Sequence, residues 1–297
     1  MPGSALILQG AVDASPFGKF HAVEGTYDST VYVWDSTFSG LTSVPANGAV
    51  VPNLLRDRAA TVSGLTAAQC DFAVINNMAN GFAAGEITGA KGIHIASTQA
   101  GAQNAVSNFG LCLSPEFANW LLSQTDAGAD YGVMFTQWLR CTRAPILTGN
   151  TSPQSIMHFA STTVNRFITT GGGVSQAGVA LATNTNGPSE GSAGLMACSS
   201  QGWSGVKPAN MNSAFTRMPL NYGAYGPWDT QNYNKAASYI GYRCQVDIVD
   251  LSDIAGADRV AKGNAMVAAF QAKSAEWFGA GGRFAGDTFT PAAALKP

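Results

Sequence analysis

Charge is the scarcest ingredient of this sequence. Asp, Glu, Lys and Arg make up 11 % of its 297 residues, less than half of the ~25 % usual for a soluble domain. Sixteen basic side chains face eighteen acidic ones, for a formal net charge of −2. With no basic block, the chain is not expected to read nucleic acid or to sit on an anionic membrane. A disordered chain combines high charge with low hydrophobicity, and with 46 % hydrophobic residues this one has neither. Coiled coils and helical bundles are rich in Glu, Lys and Arg and are excluded on the same ground. No run reaches the ~18 apolar residues of a membrane span. The start, Met1 to Gly10, lacks a basic n-region and has too short an apolar run for a secretory signal. A soluble protein made in a cytoplasm is the expectation.

Cysteine is sparse and irregular. Cys70, Cys112, Cys141, Cys198 and Cys244 are widely spaced, odd in number and without a CxxC. A disulfide framework or zinc knuckle is not expected; small buried thiols in a reducing compartment are. The three histidines, His21, His94 and His158, have neither HxH nor HExxH spacing and read as structural rather than metal-binding. Gly171–Gly173 is not followed by Lys-Ser or Lys-Thr, and Gly279–Gly282 follows a helical pattern instead of opening one, so both are turns and not phosphate loops. There is no Gly-x-Ser-x-Gly elbow and no ExD pair. Asp247 and Asp250 fall on opposite faces of one strand, and Asp250 to Asp253 reads as a strand exit, which leaves no carboxylate pair for glycoside hydrolysis. The oxygen-rich Asp229 to Asn234 run is a weak calcium pattern and reads as a plain loop. No catalytic residue, metal ligand or cofactor is therefore assigned.

What the chain does have is glycine, 34 residues of it, and short β-prone runs between Gly, Asn, Ser and Pro, the mark of a sandwich or barrel. Strands are expected at Thr30–Trp34, Gly92–Ala96, Gly110–Ser114, Phe117–Leu122, Tyr131–Leu139, Ile156–Ser161, Thr163–Thr169, Gly178–Thr183 and Gly194–Ser199. The clearest is Tyr239–Ile248. Its even residues Ile240, Tyr242, Cys244, Val246 and Ile248 alternate with Tyr239, Gly241, Arg243, Gln245 and Asp247, which predicts one buried face and one facing water or a partner. Asp258–Phe278 has the helical period, with Val260, Val267, Phe270, Ser274, Trp277 and Phe278 near one stripe, Asp258 as a candidate cap and Gly279 to Gly282 as the stop. A weaker helical start lies near Thr66. The Gly202–Asp229 stretch carries Trp203, Tyr222, Tyr225 and Trp228 among Gly, Asn and Pro, a long aromatic loop of the kind that contacts ligands or partners.

One resemblance goes further. Tyr239-Ile240-Gly241-Tyr242-Arg243-Cys244-Gln245-Val246-Asp247-Ile248-Val249-Asp250-Leu251-Ser252 resembles the closing strand and Asp-Leu turn of concanavalin-like (laminin-G/lectin-like) domains in structural proteins of tailed bacteriophages. The Ala-rich helix and Gly281-Gly282-Arg283-Phe284-Ala285-Gly286-Asp287-Thr288 that follow extend the likeness, over about a fifth of the chain. The resemblance implies an all-β fold: a two-sheet antiparallel jelly-roll or concanavalin-like sandwich with one C-terminal α-helix. The chain then divides into an N-terminal arm (1–20), a sandwich (21–254) and a C-terminal helix and tail (255–297). It implies a non-enzymatic virion component (capsid-decorating, tail or fibre-associated) assembled in the host cytoplasm, whose partners are itself, as a homo-oligomer, and other virion proteins. The alternatives are a carbohydrate-binding module, with Trp203 to Trp228 as a glycan-stacking platform, and a glycan-degrading enzyme. The apolar ends, Met1–Phe17 and Gly286–Pro297, are expected to be arms that become ordered on a neighbour.

Overall fold

The computed structural model describes residues 23–100, 106–146, 155–159, 167–170, 173–176, 188–204, 217–224 and 236–297. The arm at 1–20, His21, the strand expected at Gly178–Thr183, Tyr225, Trp228 and the Asp229–Asn234 run lie outside these residues. The described chain is mostly β and its strand pairs are antiparallel. At its centre two 13-residue strands, β7 (Tyr131–Arg143) and β13 (Ser238–Asp250), pair along their whole length. Beyond β7 lies β11 (Ala193–Ser199). On the other side of β13, its first residues pair with β5 (Ile93–Ser97), which carries β4 (Ala83–Ile87). Its later residues pair with β1 (Thr30–Asp35). A second sheet runs β12 (Leu220–Ala224), β6 (Ser107–Cys112), β3 (Phe72–Asn76) and β2 (Val50–Val51). A small third sheet, beyond the two expected, joins β8 (Ser155–Phe159), β9 (Phe167–Thr170) and β10 (Gly173–Gln176).

The two larger sheets face each other across an apolar core that includes Cys244, Val246, Phe135 and Ile95 from one and Phe72, Phe109, Leu111 and Tyr222 from the other. Helix α1 (Arg56–Ser63) and helix α2 (Pro115–Asp126) flank this core. Helix α2 corrects the strand expected at Phe117–Leu122. Ser114 accepts the Phe117 N–H at 3.1 Å, Pro115 stands in the first turn and Glu116 follows, which together make a helix start strong enough to override the β-prone Phe-Ala-Asn-Trp run.

Strand β13 departs from its sequence pattern in an informative way. Every residue from Ser238 to Val249 is buried, because the strand sits in the middle of a sheet covered on both faces. A β-bulge breaks the period of two: Gly241 lies opposite Leu139 and Arg243 opposite Trp138, so Tyr242 is an extra residue and side-chain parity flips there. Tyr239, Cys244, Val246 and Ile248 face the inter-sheet core. Ile240, Tyr242 and Val249 face a second core with Trp138, Phe270 and Trp277. The face expected to meet water or a partner is covered by the chain's own helix.

That helix, α3 (Gly256–Phe278), matches the expected span and buries Val267, Phe270, Ser274 and Trp277, with Phe278 half-buried. Asp258 lies in its first turn, not at the cap. At its end the chain folds back beneath the helix: a Cβ on Gly282 would stand 2.3 Å from the Glu276 carbonyl, and the Phe284 N–H bonds the Trp277 carbonyl at 3.0 Å. The tail packs on its own chain. Asp287 accepts from Ala90 N–H and Tyr242 O–H, and helix α4 (Ala292–Leu295) follows. Thr98 Oγ1 donates to the Pro297 carbonyl at 2.5 Å.

Candidate functional site

Two clusters of buried polar side chains lie on the helix side of the large sheet. The first is a ladder along β13. The guanidinium of Arg243 lies 5.1 Å from the Trp138 ring and 5.2 Å from that of Trp277. It donates to Asp35 Oδ2 at 3.2 Å and to Gln245 Oε1 at 2.9 Å. Gln245 in turn donates to Asp247 Oδ2 at 3.1 Å, and Asp247 Oδ1 accepts from Thr30 at 2.6 Å and Ser29 at 3.4 Å. The bulge at Tyr242 is what puts Arg243, Gln245 and Asp247 on this face in succession. Arg283, delivered by the turn after α3, gives Asp35 a second cation at 2.9 Å and stacks over Trp277 at 3.8 Å. Arg243, Asp35, Gln245 and Asp247 are all 0 % exposed.

Burial sets the ionisation here. It pulls the Arg243 pKa down to about 10, with Asp35 pulling the other way, so the guanidinium stays charged at neutral pH and its partner matters. Burial pushes the Asp247 carboxyl up to about 6 against the hydrogen bonds from Thr30 and Gln245. Among the described residues, the indole N–H groups of Trp138 and Trp277, Arg243 Nε and Thr136 Oγ1 find no hydrogen-bond partner. The seam is therefore held by ring–cation contact and by the Asp35 pairs more than by complete hydrogen bonding.

The second place is around His94, also 0 % exposed. Its Nδ1 lies 3.0 Å from Glu86 Oε1 and its Nε2 2.9 Å from Thr142 Oγ1. Burial lowers the His94 pKa against the pull of Glu86, so the ring is neutral. Nδ1–H then donates to the carboxylate, which can only accept, and Nε2 accepts the Thr142 hydroxyl proton. For Glu86, burial raises the pKa but the hydrogen bonds from His94 and Thr290 outweigh it and the net shift is downward. Such a carboxylate–imidazole–hydroxyl chain is the arrangement that activates a nucleophile. Here the tail lies over it: Phe289 rests edge-on against the imidazole at 5.5 Å, and Thr290 gives Glu86 two hydrogen bonds of 2.7 Å. The same atoms tie β4, β5, β7 and the tail together.

Of the aromatic residues singled out from sequence, Trp203 and Tyr222 do not come together. Trp203 and Tyr222 are both 0 % exposed and lie in different cores, Trp203 under α3 and Tyr222 between the sheets. Trp203 donates to the Val133 carbonyl at 3.3 Å and packs against Gly132, where a Cβ would stand 2.7 Å from the indole. Tyr222 donates to Gln137 Oε1 at 2.8 Å. Tyr225 and Trp228 fall outside the described residues. The five cysteines are buried and free. Asp250 caps the turn at Ser252 as read from sequence.

The residues sequence reasoning missed are Asp35, Arg283, Glu86, Thr142 and Thr290. Only Glu86 left a local trace: it faces His94 across the β4–β5 hairpin, eight positions earlier, with Gly89 and Gly92 in between. The others meet their partners from positions far away in the chain. Among the described residues no three of His, Cys, Asp and Glu come together as a metal-binding group, and no helix is long and apolar enough to cross a membrane. No family model matches this chain, and no curated protein or solved structure matches it either.

Proposed function

We propose that the chain is a non-enzymatic structural protein of a tailed-phage particle, a concanavalin-like jelly roll that works by binding copies of itself and other virion proteins. The observation that carries this reading is where the few charges go. Asp35, Asp247, Arg243 and Arg217 are at most 3 % exposed, and Asp71 and Arg259 at most 9 %, so an already charge-poor chain draws part of its charge inside. The exterior left behind is polar and weakly charged, and it carries apolar side chains such as Phe38 (56 % exposed) and Val50 (66 %). Depletion of charge marks the centres of lasting interfaces, and weak self-repulsion lets copies approach. The His94 chain fits the same reading, because the tail that covers it serves cohesion and would have to leave before a substrate could reach the ring. The sequence resemblance of Tyr239–Ser252 and of the segment after it to phage structural domains is what suggests the particle.

Purified particles from lysates carrying this gene test the proposal by quantitative mass spectrometry. The chain is expected in the particle fraction at many copies. Recovery only as a free monomer outside particles would overturn the reading, and binding on a glycan array would then favour the carbohydrate-binding alternative.

A further inference from the structure

We propose that the outer edge of β4 pairs antiparallel with β4 of a second copy, so that two sheets become one across a two-fold axis. The inference rests on the assembly reading above and names the surface it would use. The ladder fixes which groups point outward. Thr98 N–H donates to the Phe82 carbonyl at 2.8 Å and Thr88 N–H to the Gly92 carbonyl at 3.0 Å, so the even-numbered residues of this strand bond β5. The N–H and C=O groups of Ala83, Gly85 and Ile87 therefore face away from it. None of these has a hydrogen-bond partner among the described residues.

Exposed edges are usually blunted by Lys, Pro, a bulge or a covering segment. This chain does so elsewhere. Along β1 the side chain of Asn53 accepts the Val33 N–H at 2.9 Å and donates to the Val31 carbonyl at 2.9 Å, closing that edge. Strand β4 has no Lys, no Pro and a regular register with β5. Its one charge, Glu86, is held on its own chain by His94 and Thr290.

A two-fold axis at Gly85 sets Ala83 opposite Ile87 and Ala84 opposite Glu86 of the second copy. Small residues then face large ones, no like charges are opposed, and every outward N–H and C=O finds a partner. The closed two-fold dimer is the commonest symmetric assembly.

Two measurements on the full chain decide it. Residue-resolved amide exchange, followed against protein concentration, should show Ala83, Gly85 and Ile87 becoming protected as dimer forms, while Ala84 and Glu86 are protected throughout. Ala84→Glu and Ala84→Lys, checked for fold by circular dichroism, should move the dimer dissociation constant in opposite directions. Glu would face Glu86 of the second copy and Lys would pair with it, a separation of roughly 10-fold that shrinks with salt. A dimer in which Ala83, Gly85 and Ile87 stay unprotected, or equal dimerisation of the two variants, overturns edge pairing and leaves assembly through another surface standing. A chain monomeric at every concentration also overturns it, while the particle experiment separately decides the assembly reading.

Discussion

The two faces of β13 are built from one strand and differ in nearly everything else. Toward the second sheet it presents Tyr239, Cys244, Val246 and Ile248 to a core of aromatic and aliphatic side chains. Toward α3 it presents Ile240, Tyr242 and then Arg243, Gln245 and Asp247, set between indoles and tied to Asp35 and Thr30. The first face is non-directional and tolerates exchange of one apolar group for another of similar volume. The second works only with matched partners, since a buried charge left alone is far costlier than a buried pair is beneficial. The sheet–sheet contact thus supplies cohesion, and the sheet–helix contact fixes which way α3 lies and where the chain after it returns.

The comparison breaks most sharply at Asp35. Asp35→Ala leaves the Arg243 and Arg283 guanidinium groups without their shared anion and should cost about 3–5 kcal/mol in urea unfolding. On the apolar face, Ile95→Ala should cost about 2–5 kcal/mol as a cavity without electrical consequence, and ionic strength should leave that cost unchanged.

A pH series sharpens the contrast further. The folded-state pKa of Asp247, about 6 against a reference of 3.8, means that the folded chain holds this proton more tightly than the unfolded one. Its contribution is fully present below pH ~4 and is lost as pH rises through ~6, a loss of about 1–3 kcal/mol. His94 and Glu86, whose pKa values are lowered, pull the opposite way, so the difference between the native chain and Asp247→Asn isolates the effect. The variant should lack the decline between pH 4 and 6; identical pH profiles would show that Asp247 ionises normally. The smallest effect is expected at a polar point on the apolar side. Ser114→Ala removes the cap of α2 and the 3.2 Å contact with the Tyr32 hydroxyl, for about 1 kcal/mol in the same unfolding assay.

These differences track what the sequence displayed. Apolar strands such as Thr30–Asp35 and Ile93–Ser97, and the helix ending at Phe278, were legible because each follows a local period. The ladder was not, for two reasons. A one-residue bulge leaves no sequence mark at Tyr242, so a strict alternation was read as one wet and one dry face. Asp35 and Thr30, which Arg243 and Asp247 meet on β1, also lie more than 200 positions away, beyond any local pattern. Helix α2 was hidden differently: its Ser114-Pro115-Glu116 start is present, but the Phe-Ala-Asn-Trp residues after it carry the opposite, β-prone signal. His94 was read as structural, which agrees with its burial; its tail partners Phe289 and Thr290 could not be paired with it without the fold.

The order of strands in the large sheet also bears on how the chain reaches this state. Its central strand is the last to be synthesised: β13 pairs with β1, β5 and β7, and until residues 238–250 emerge those three have no common neighbour. The pairings that join β1, β5 and β7 into one sheet wait on the final fifth of the chain, a topology of high contact order that folds slowly and is completed after synthesis instead of during it. A nascent chain in that interval has β1 without a strand partner and β5 and β7 with one bare edge each. Low charge, an advantage in lasting contacts, gives little protection against wrong ones during that interval.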